Sequence, residues 1–319
     1  MPNPVPAGTI ACIGGVVADR VVRLAAPPLP GTSNPGSVVS SPGGVARNIA
    51  ENLGRLGYRP SLVSVIGDDT VGTSLVTGVR AAGVDARGVR TVPTEPTAEY
   101  LAILDPDGEL VLGVAVMAVL DALSESDVDA AWPAAGDGAP GWVVLDCNPR
   151  PEVLGHALER ARRDGAAVHL VTVGVSAPKI TRLPPDLTGV AILFCTRDEG
   201  RAWLAGPGGR PDLSGASDAD LAASLRAAGA QRVVLTRGAA GALAVDADAA
   251  AEVAGEPVAV VDVTGAGDAL VAGTLAGLVD GADFRAAVRR GVRLASLTVE
   301  VTGAVRPDLA AVSSRTLAP

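Results

Sequence analysis

The segment Val258–Gly273 combines residues that could bind an anion with a carboxylate that could take part in a reaction. It opens with an uninterrupted apolar run, Val258–Val261, which predicts a strand buried on both faces. Three small residues then precede a helical run: Gly265, Ala266 and Gly267. At such a junction the first N–H groups of the helix point, at the positive end of its dipole, into one small volume. The pattern predicts an anion site with the Asp268 carboxylate at its edge.

Two other phosphate-binding motifs are excluded at this segment. The dinucleotide fingerprint requires a third glycine, and Leu270 stands at that position. A Walker A loop requires Gly-Lys-Ser/Thr, but the chain's one lysine is Lys179, followed by Ile180. An aspartate in the first turn of a helix most often only complements the helix dipole. The segment alone therefore leaves the role of Asp268 undecided.

A second glycine-containing segment, Ser41–Gly57, predicts another turn followed by a helix. Apolar residues recur at helical spacing after Gly43 and Gly44, namely at Val45, Ile49, Leu53 and Leu56. Gly57 is typical of a helix C-terminus. Asn48 lies one turn into this helix, where an amide is either an exposed polar residue or a ligand contact.

The two segments together resemble the two signatures of the ribokinase-like (PfkB-type) carbohydrate kinases. Gly43-Gly44 is followed by Asn48 and a helix ending in Leu-Gly, and Asp262-Val-Thr-Gly-Ala-Gly-Asp268 follows far downstream, in the order found in that family. The resemblance extends from Ile10 to about Pro307. It implies an α/β fold with a mostly parallel central sheet, helices on both faces and a small β-strand lid. The alternation of strand-like and helical stretches along the chain agrees with such a sheet.

The resemblance also implies how the chain is divided. We expect a single kinase domain over residues 1–319, with lid segments at about 16–41 and 96–117. The second lid segment contains a predicted hairpin around Asp105–Gly108. An uncovered lid sheet favours pairing of two chains through strand edges, so we expect a homodimer.

The activity implied is transfer of the γ-phosphoryl group of ATP to a hydroxyl of a small sugar or nucleoside, with Mg²⁺ as cofactor. In the family, the turn formed by Gly265, Ala266 and Gly267 holds the transferred group, and the aspartate at the position of Asp268 is the base. The sugar contacts would be Asp19, just beyond the predicted first strand Thr9–Ile13, with Gly43, Gly44 and Asn48. The nucleotide contacts would be Thr236, Gly238 and Gly241 together with Gly265 and Gly267. Glu199 would lie in the second shell of Mg²⁺, and Asp262 and Thr264 would bind a monovalent cation, with K⁺ the candidate.

Three positions depart from the family pattern and bear on specificity. Val17 stands where the family's ribokinases often carry a sugar-binding Asn, Thr196 replaces the Asn of an Asn-x-x-Glu motif, and Val116 stands where an aspartate is expected. The lid segment Thr32–Gly36 is most similar to that of enzymes acting on the 5′-hydroxyl of a C-linked nucleoside, with Asn34 placed to bind the base. Ribose, adenosine and 2-keto-3-deoxygluconate remain open as acceptors.

Composition excludes several other functions. The formal net charge of −9 argues against sequence-independent nucleic-acid binding, and no apolar run approaches the ~18 residues of a membrane span. The three cysteines are far apart in sequence, as expected of reduced thiols in the cytoplasm: Cys12, Cys147 and Cys195. The two histidines have no metal-ligand spacing. Two alternatives to the kinase stay open, a non-catalytic sugar or nucleotide sensor on the same fold and an unrelated dinucleotide-dependent enzyme.

Overall fold

The computed structural model describes residues 10–132, 141–209 and 215–316. Its strands are β1 (Ile10–Ile13), β2 (Val17–Leu24), β3 (Gly36–Gly43), β4 (Ser61–Gly67), β5 (Asp85–Val92), β6 (Glu99–Leu104), β7 (Leu110–Val116), β8 (Gly141–Asp146), β9 (Val168–Val173), β10 (Val190–Thr196), β11 (Val233–Thr236), β12 (Ala242–Val245) and β13 (Ala250–Val253). Its α-helices are α1 (Val45–Arg55), α2 (Thr70–Ala81), α3 (Glu125–Ala131), α4 (Pro151–Asp164), α5 (Ala177–Ile180), α6 (Arg197–Ala205), α7 (Asp218–Ala227), α8 (Ala266–Val279), α9 (Phe284–Thr298) and α10 (Leu309–Thr316). Within these ranges no helix is both long and apolar enough to cross a bilayer.

The large sheet has nine strands in the order β13-β12-β11-β10-β9-β8-β1-β4-β5. Its pairs are parallel except β11–β12 and β12–β13. Successive residues of β8 belong to opposite faces, since Trp142 and Val144 pack in one core cluster while Val143 and Leu145 pack in the other. Helices α1, α2, α8 and α9 cover the first face, and α3, α4, α6 and α7 cover the second. The predicted α/β fold with helices on both faces is thus confirmed.

A separate small sheet has the strand order β3-β2-β6-β7. Its strands lie in the two segments for which the sequence predicts a lid, with β3 running two residues further, to Gly43. The predicted hairpin joins β6 to β7, and Asp105 Oδ1 accepts the N–H groups of Asp107 and Glu109 at its turn, both at 2.9 Å. Large apolar side chains stay exposed on this sheet, including Val38, Val39, Leu110, Leu112 and Val114.

One predicted strand is wrong. The apolar run Val258–Val261 is not a strand, and Val260 and Val261 are about three-fifths exposed (60% and 61%). The segment is held instead by the N–H groups of Val261 and Asp262, which both donate to the carbonyl of Val299 (2.8 and 3.2 Å). This apolar run therefore lines a cavity, described below, and does not lie inside the sheet.

The first helix differs from a surface helix because it is buried on all sides. α1 packs between the large sheet, α2 and α8, and every residue from Ala46 to Leu53 is buried, including the polar ones. Asn48 is only 5% exposed, so the interpretation of this amide as an exposed helical residue is excluded. A polar helix face that is buried must find partners inside the protein, and these partners form the site described below.

Glycines allow α8 and α9 to approach closely. A Cβ at Gly291 of α9 would lie 2.3 Å from the carbonyl oxygen of Leu270 and 2.3 Å from Thr274 Oγ1, both in α8. A Cβ at Gly273 would lie 2.8 Å from the Cα of Gly291. Because the backbones touch at this crossing, α9 fixes the position of α8 and of the residues at its N-terminus.

We expect Gly291→Ala to destabilise the protein by about 1–3 kcal/mol, since the added methyl group overpacks the crossing. The matched control is Gly78→Ala in α2, where an added Cβ meets nothing within 4 Å. That control should stabilise the protein by about 0.5–1 kcal/mol through helix propensity. Urea denaturation of both variants measures the difference, and equal effects would contradict the close-packed crossing.

Candidate active site

A buried carboxylate lies at the carboxyl edge of the large sheet, where β8 neighbours β1. Asp146 ends β8 and is 0% exposed. Its Oδ2 accepts the N–H groups of Gly15 (2.8 Å) and Ala46 (3.1 Å). Asn148 donates its backbone N–H to Oδ1 and its side-chain Nδ2 to Oδ2, both at 2.9 Å. Asp146 thereby ties the end of β8 to the loop after β1 and to the first turn of α1.

The sequence analysis did not identify Asp146 as a site residue. The sequence held a signal for it, because ligands of open α/β sheets bind beyond the carboxyl ends of the strands and the apolar run Trp142–Leu145 leads directly into this carboxylate. Its partner Asn148 is held in turn by Lys179 Nζ, which donates to Asn148 Oδ1, and by Arg182, which donates to the Asn148 carbonyl. The one lysine of the chain therefore supports this edge of the sheet.

The two glycine-containing segments meet through a hydrogen bond between side chains. Asn48 Nδ2 of α1 donates to Asp268 Oδ2 of α8 at 2.6 Å, across 220 residues of sequence. Both side chains are buried, with Asp268 9% exposed. The predicted base and a predicted sugar contact are thus adjacent.

Burial raises the pKa of Asp268 from 3.8 to about 7. The hydrogen bond from Asn48 and the guanidinium of Arg47 act against this rise, while the charges of Asp146 and Asp19 add to it. A carboxylate with a pKa near neutrality can both lose and accept a proton under physiological conditions. The geometry and the electrostatics of Asp268 therefore suit a general base.

Asp19 lies in the lid sheet, within the first predicted lid segment, and β2 follows closely after the end of β1. It belongs to β2, opposite Ser41 of β3 and Tyr100 of β6. A Cβ at Gly43 would lie 2.1 Å from Asp19 Oδ2, so only glycine leaves room for the carboxylate there. Burial raises the pKa of Asp19, and the nearby Arg47 guanidinium opposes the rise.

Two glycines with positive φ begin the helices that carry the site. Gly44 is the N-cap of α1 with φ 97°, and Gly265 is the N-cap of α8 with φ 75°. A Cβ at Gly44 would lie 2.3 Å from the carbonyl oxygen of Gly15, and one at Gly265 would lie 2.1 Å from that of Ala304. Conformation and space both require glycine at these two positions.

A cavity of about 520 Å³ opens beside the N-terminus of α8. It contains the predicted nucleotide contacts Thr236, Gly238, Gly241 and Gly267, and also Ala266, whereas Gly265 is not part of its lining. Apolar residues form much of the wall, including Val258, Val260 and Val263 from the segment wrongly predicted as a strand. A mostly apolar cleft next to a helix N-terminus suits a nucleotide, whose base is flat and whose phosphates are anionic.

The predicted anion turn is partly engaged with its own backbone. The N–H of Ala269 makes a helical bond to the carbonyl of Gly265 at 2.9 Å, and the N–H of Ala266 donates to Val263 at 3.3 Å. The N–H groups of Gly267 and Asp268 precede this first helical bond and have no acceptor within the helix. These two groups are the best placed to meet a phosphate.

The predicted cation residues hold two loops together. Asp262 Oδ1 accepts the N–H of Thr264, and Asp262 Oδ2 accepts the N–H of Gly303, both at 2.9 Å. In the described ranges no group of three or more His, Cys, Asp or Glu side chains could hold a metal ion. The monovalent cation expected beside Asp262 and Thr264 stays a prediction.

Glu199 and Thr196 form a capping box at the start of α6. Glu199 Oε2 accepts the N–H of Thr196 at 2.8 Å, and Thr196 Oγ1 accepts the N–H of Glu199 at 3.2 Å. Thr196 also lines the cavity. The buried Glu199 carboxylate thus holds Thr196 in position, and the substituted Thr196 has a structural role of its own.

Asn34 uses its amide inside its own loop. Its Oδ1 accepts the N–H of Leu29 at 2.8 Å, and its Nδ2 donates to the carbonyls of Leu29 (3.0 Å) and Thr32 (3.1 Å). The structure does not join Asn34 to the other predicted site residues. It would reach a base only after giving up these bonds.

Comparison with known proteins agrees with this geometry. A model of the family described as pfkB family carbohydrate kinase matches residues 8–310. The chain belongs to the pfkB family. This kinase is 34% identical over 289 residues to the pseudouridine kinase of Escherichia coli strain K12, covering 87% of the chain and 86% of that enzyme. It is 27% identical over 298 residues to the guanosine-inosine kinase of Exiguobacterium acetylicum, covering 92% and 95%.

A solved structure extends the likeness to the fold. The ribokinase of Thermotoga maritima superposes with a TM-score of 0.78 at 19% identity, covering 96% of this chain and 99% of that one. The predicted ribokinase-like fold and the predicted activity, a phosphotransferase with an alcohol acceptor, are confirmed. The protein is a sugar or nucleoside kinase of this family, and the alternative of a dinucleotide-dependent enzyme is excluded.

We expect Asp268→Asn to stabilise the kinase near pH 8 and to have little effect near pH 4. The folded state holds the Asp268 proton up to about pH 7, whereas a free aspartate has a pKa of 3.8. The stability from this bound proton is therefore fully present below about pH 4 and lost as the pH rises through about 7. The variant removes this dependence, and its amide oxygen can still accept the Asn48 hydrogen bond. Thermal unfolding at both pH values measures the effect.

Asp146→Asn provides the contrasting control. Asp146 accepts four N–H bonds, so an amide there places donor against donor and should destabilise the protein by roughly 2 kcal/mol or more. If Asp268→Asn also lowered the melting temperature near pH 8, the burial of a charged Asp268 carboxylate would not be costly.

Proposed function

We propose that this kinase transfers the γ-phosphoryl group of ATP to the 5′-hydroxyl of a nucleoside, and that the nucleoside is pseudouridine. The observation that supports the proposal is the 2.6 Å bond between Asn48 and Asp268, a buried carboxylate of raised pKa that directly follows Ala266 and Gly267 of the cavity wall. The similarity to E. coli pseudouridine kinase supports the choice of acceptor.

The proposed reaction divides the site into two halves. Asp19, Gly44 and Asn48 bind the ribose hydroxyls, which leaves the 5′-oxygen facing Asp268. The 5′-oxygen bonds to the γ-phosphorus while the bond between the γ-phosphorus and the bridging oxygen of ADP breaks. Asp268 takes the proton of the 5′-hydroxyl. Phosphoryl transfer has a loose transition state, so the proton can leave late and a weak base suffices. The N–H groups at the start of α8 stabilise the charge on the transferred group.

Two cations complete the proposed site. Mg²⁺ bound to ATP would offset the phosphate charge. Glu199, which is hydrogen-bonded to Thr196 at the end of β10, would lie in the second shell of this ion. A monovalent cation, with K⁺ the candidate, would lie beside Asp262 and Thr264. The loop containing Gly303 already contacts Asp262, and Gly265 contacts Ala304 in the same loop, so this region directly supports the turn before α8.

The lid bears on the choice of acceptor. Tyr100 is the aromatic residue of the lid nearest Asp19 in register, and a Cβ at Gly113 would lie 2.8 Å from its hydroxyl, so β7 leaves room for the ring. A lid with so few aromatic residues favours hydrogen bonding to a uracil edge over stacking on a purine. Asn34 supplies such a contact only in a rearranged loop, and Val116, opposite Glu99 in the lid, supplies none.

The exposed apolar side chains of the lid sheet also support the predicted homodimer, because a patch of this kind is usually covered by a partner. A cytoplasmic location remains a prediction from cysteine usage.

We expect Asp268→Asn to lower kcat by about 10²-fold or more while ATP and acceptor still bind, because the contacts of both ligands remain. The matched control is Asp280→Asn, at the other end of α8, where the carboxylate accepts hydrogen bonds from Tyr58 and Arg290. Steady-state kinetics and calorimetric titration give the two quantities. A near-normal kcat in Asp268→Asn would exclude the proposed base.

For the acceptor, we expect kcat/KM with pseudouridine to exceed that with uridine, adenosine, inosine, ribose and 2-keto-3-deoxygluconate by tenfold or more. The comparison uses one ATP concentration and one enzyme preparation. A tenfold preference for any of the other acceptors would overturn the assignment of pseudouridine and leave the kinase intact. Inosine is included because of the similarity to a guanosine-inosine kinase.

A further inference from the structure

Arg47 is a buried cation that the sugar and nucleotide contacts do not explain. It precedes Asn48 in α1 and is 2% exposed. Its guanidinium donates to the carbonyl of Pro42 at 2.9 Å, to Glu51 Oε2 at 2.5 Å and to Asn48 Oδ1. A buried guanidinium carries a large desolvation cost, so the presence of one at this position calls for a role.

The bond to Asn48 determines which way the amide faces. An arginine side chain has donors and no acceptor, so only the oxygen of the Asn48 amide can face it. The Nδ2 group must then point to the other side, where it donates to Asp268. If the amide turned over, its NH₂ group would face the guanidinium and its oxygen would face the carboxylate, so both contacts would be repulsive.

Arg47 is also the cation among the charged groups around Asp268. Asp19 of β2 and Asp146 of β8 are like charges that raise the pKa of Asp268, whereas Arg47 of α1 lowers it. Arg47 itself experiences the charges of Glu51, Asp268 and Asp19. One side chain therefore sets both the orientation of the hydrogen bond to Asp268 and the electrostatic balance at its carboxylate.

A second arginine offers a matched comparison. Arg55 shares Glu51 with Arg47 and donates to Glu51 Oε1 from Nε (2.9 Å) and from a terminal nitrogen (2.7 Å). It reaches the carbonyl of Pro307 and makes no bond to Asn48. Because Glu51 keeps Arg55 when Arg47 is replaced, the substitution leaves no unpaired carboxylate on the helix.

We propose that Arg47 is a positioning residue for Asp268: it holds the Asn48 amide with its NH₂ group towards the carboxylate and supplies the compensating cation beside that carboxylate. This proposal rests on the proposed role of Asp268 as the base.

The kinetic test compares Arg47→Met, Arg47→Lys and Arg55→Met with wild type, using ATP and pseudouridine across a pH range. We expect Arg47→Met to lower kcat by about 10²-fold near neutrality, with the KM for ATP unchanged, since misplacement of a reacting group has effects of this size. Activity requires a deprotonated Asp268 and is lost as the pH falls. Without the cation, the acid limb of the kcat profile should move up by about one pH unit.

The other two variants separate charge from geometry. Arg47→Lys keeps the charge but supplies one nitrogen where Arg47 uses two, one to Glu51 and the other to Pro42 and Asn48, so the hold on the amide weakens and kcat should fall while the acid limb stays in place. This result decides the question of orientation even if Arg47→Met does not fold. Arg55→Met should leave both kcat and the acid limb as in wild type. A kcat in Arg47→Met within twofold of that in Arg55→Met, with an unmoved acid limb, would overturn the proposal.

A double-mutant cycle tests the coupling between Arg47 and Asp268 by melting temperature, without an activity measurement. The rise in melting temperature caused by Asp268→Asn near pH 8 is compared in the wild-type and Arg47→Met backgrounds. We expect a rise several degrees larger in Arg47→Met, because the carboxylate has lost its cation there. Equal rises would contradict the proposal. If Asp268→Asn retains turnover, the base role fails, and this cycle still reports whether Arg47 acts on Asp268.

Discussion

The burial of one carboxylate is the constraint on which the rest of the site depends. Asp268 lies at the N-terminus of α8, where the helix dipole favours a negative charge, yet burial still raises its pKa to about 7. In water this aspartate would have its ordinary low pKa, and buried without hydrogen-bond donors or a nearby cation it would stay protonated and could not accept a proton. The hydrogen bond from Asn48 and the charge of Arg47 hold it between these limits, so α1 and α8 must pack with little freedom.

The close packing of glycines meets this requirement. Gly273 and Gly291 bring α8 and α9 into backbone contact, while Gly44 and Gly265 begin α1 and α8 where a Cβ would strike a neighbouring carbonyl. Asp146 fixes the start of α1 from the sheet side through the N–H of Ala46. The position of Asp268 is thus set by backbone contacts and by buried hydrogen bonds at the sheet edge, and not by the lid.

The sequence predicted the parts of this arrangement that depend on local pattern. Helical spacing from Val45 to Leu56 and the small residues before Asp268 predicted α1 and the start of α8, since glycine at a helix start has a direct backbone cause. The run Val258–Val261 was wrongly predicted as a strand, because an apolar cavity wall and a buried strand have the same sequence pattern. Strand β5 was not predicted, because it lies at the edge of the sheet and its arginines interrupt any apolar run.

Buried polar partners are the part that a single sequence cannot give. Arg47, Asn48 and Glu51 look like a solvent-facing strip of α1, and only the placement of α8 and the sheet shows that they are enclosed. Asn34 is the opposite case. From its position in a lid loop it was predicted to bind a ligand, but its amide is hydrogen-bonded within the loop itself. Motif similarity identifies the residues near the reaction. Which of them are free to touch a ligand and which orient a neighbour follows from the donors and acceptors left after packing, and by that criterion Asn48, predicted as a sugar contact, is a hydrogen-bond partner of Asp268.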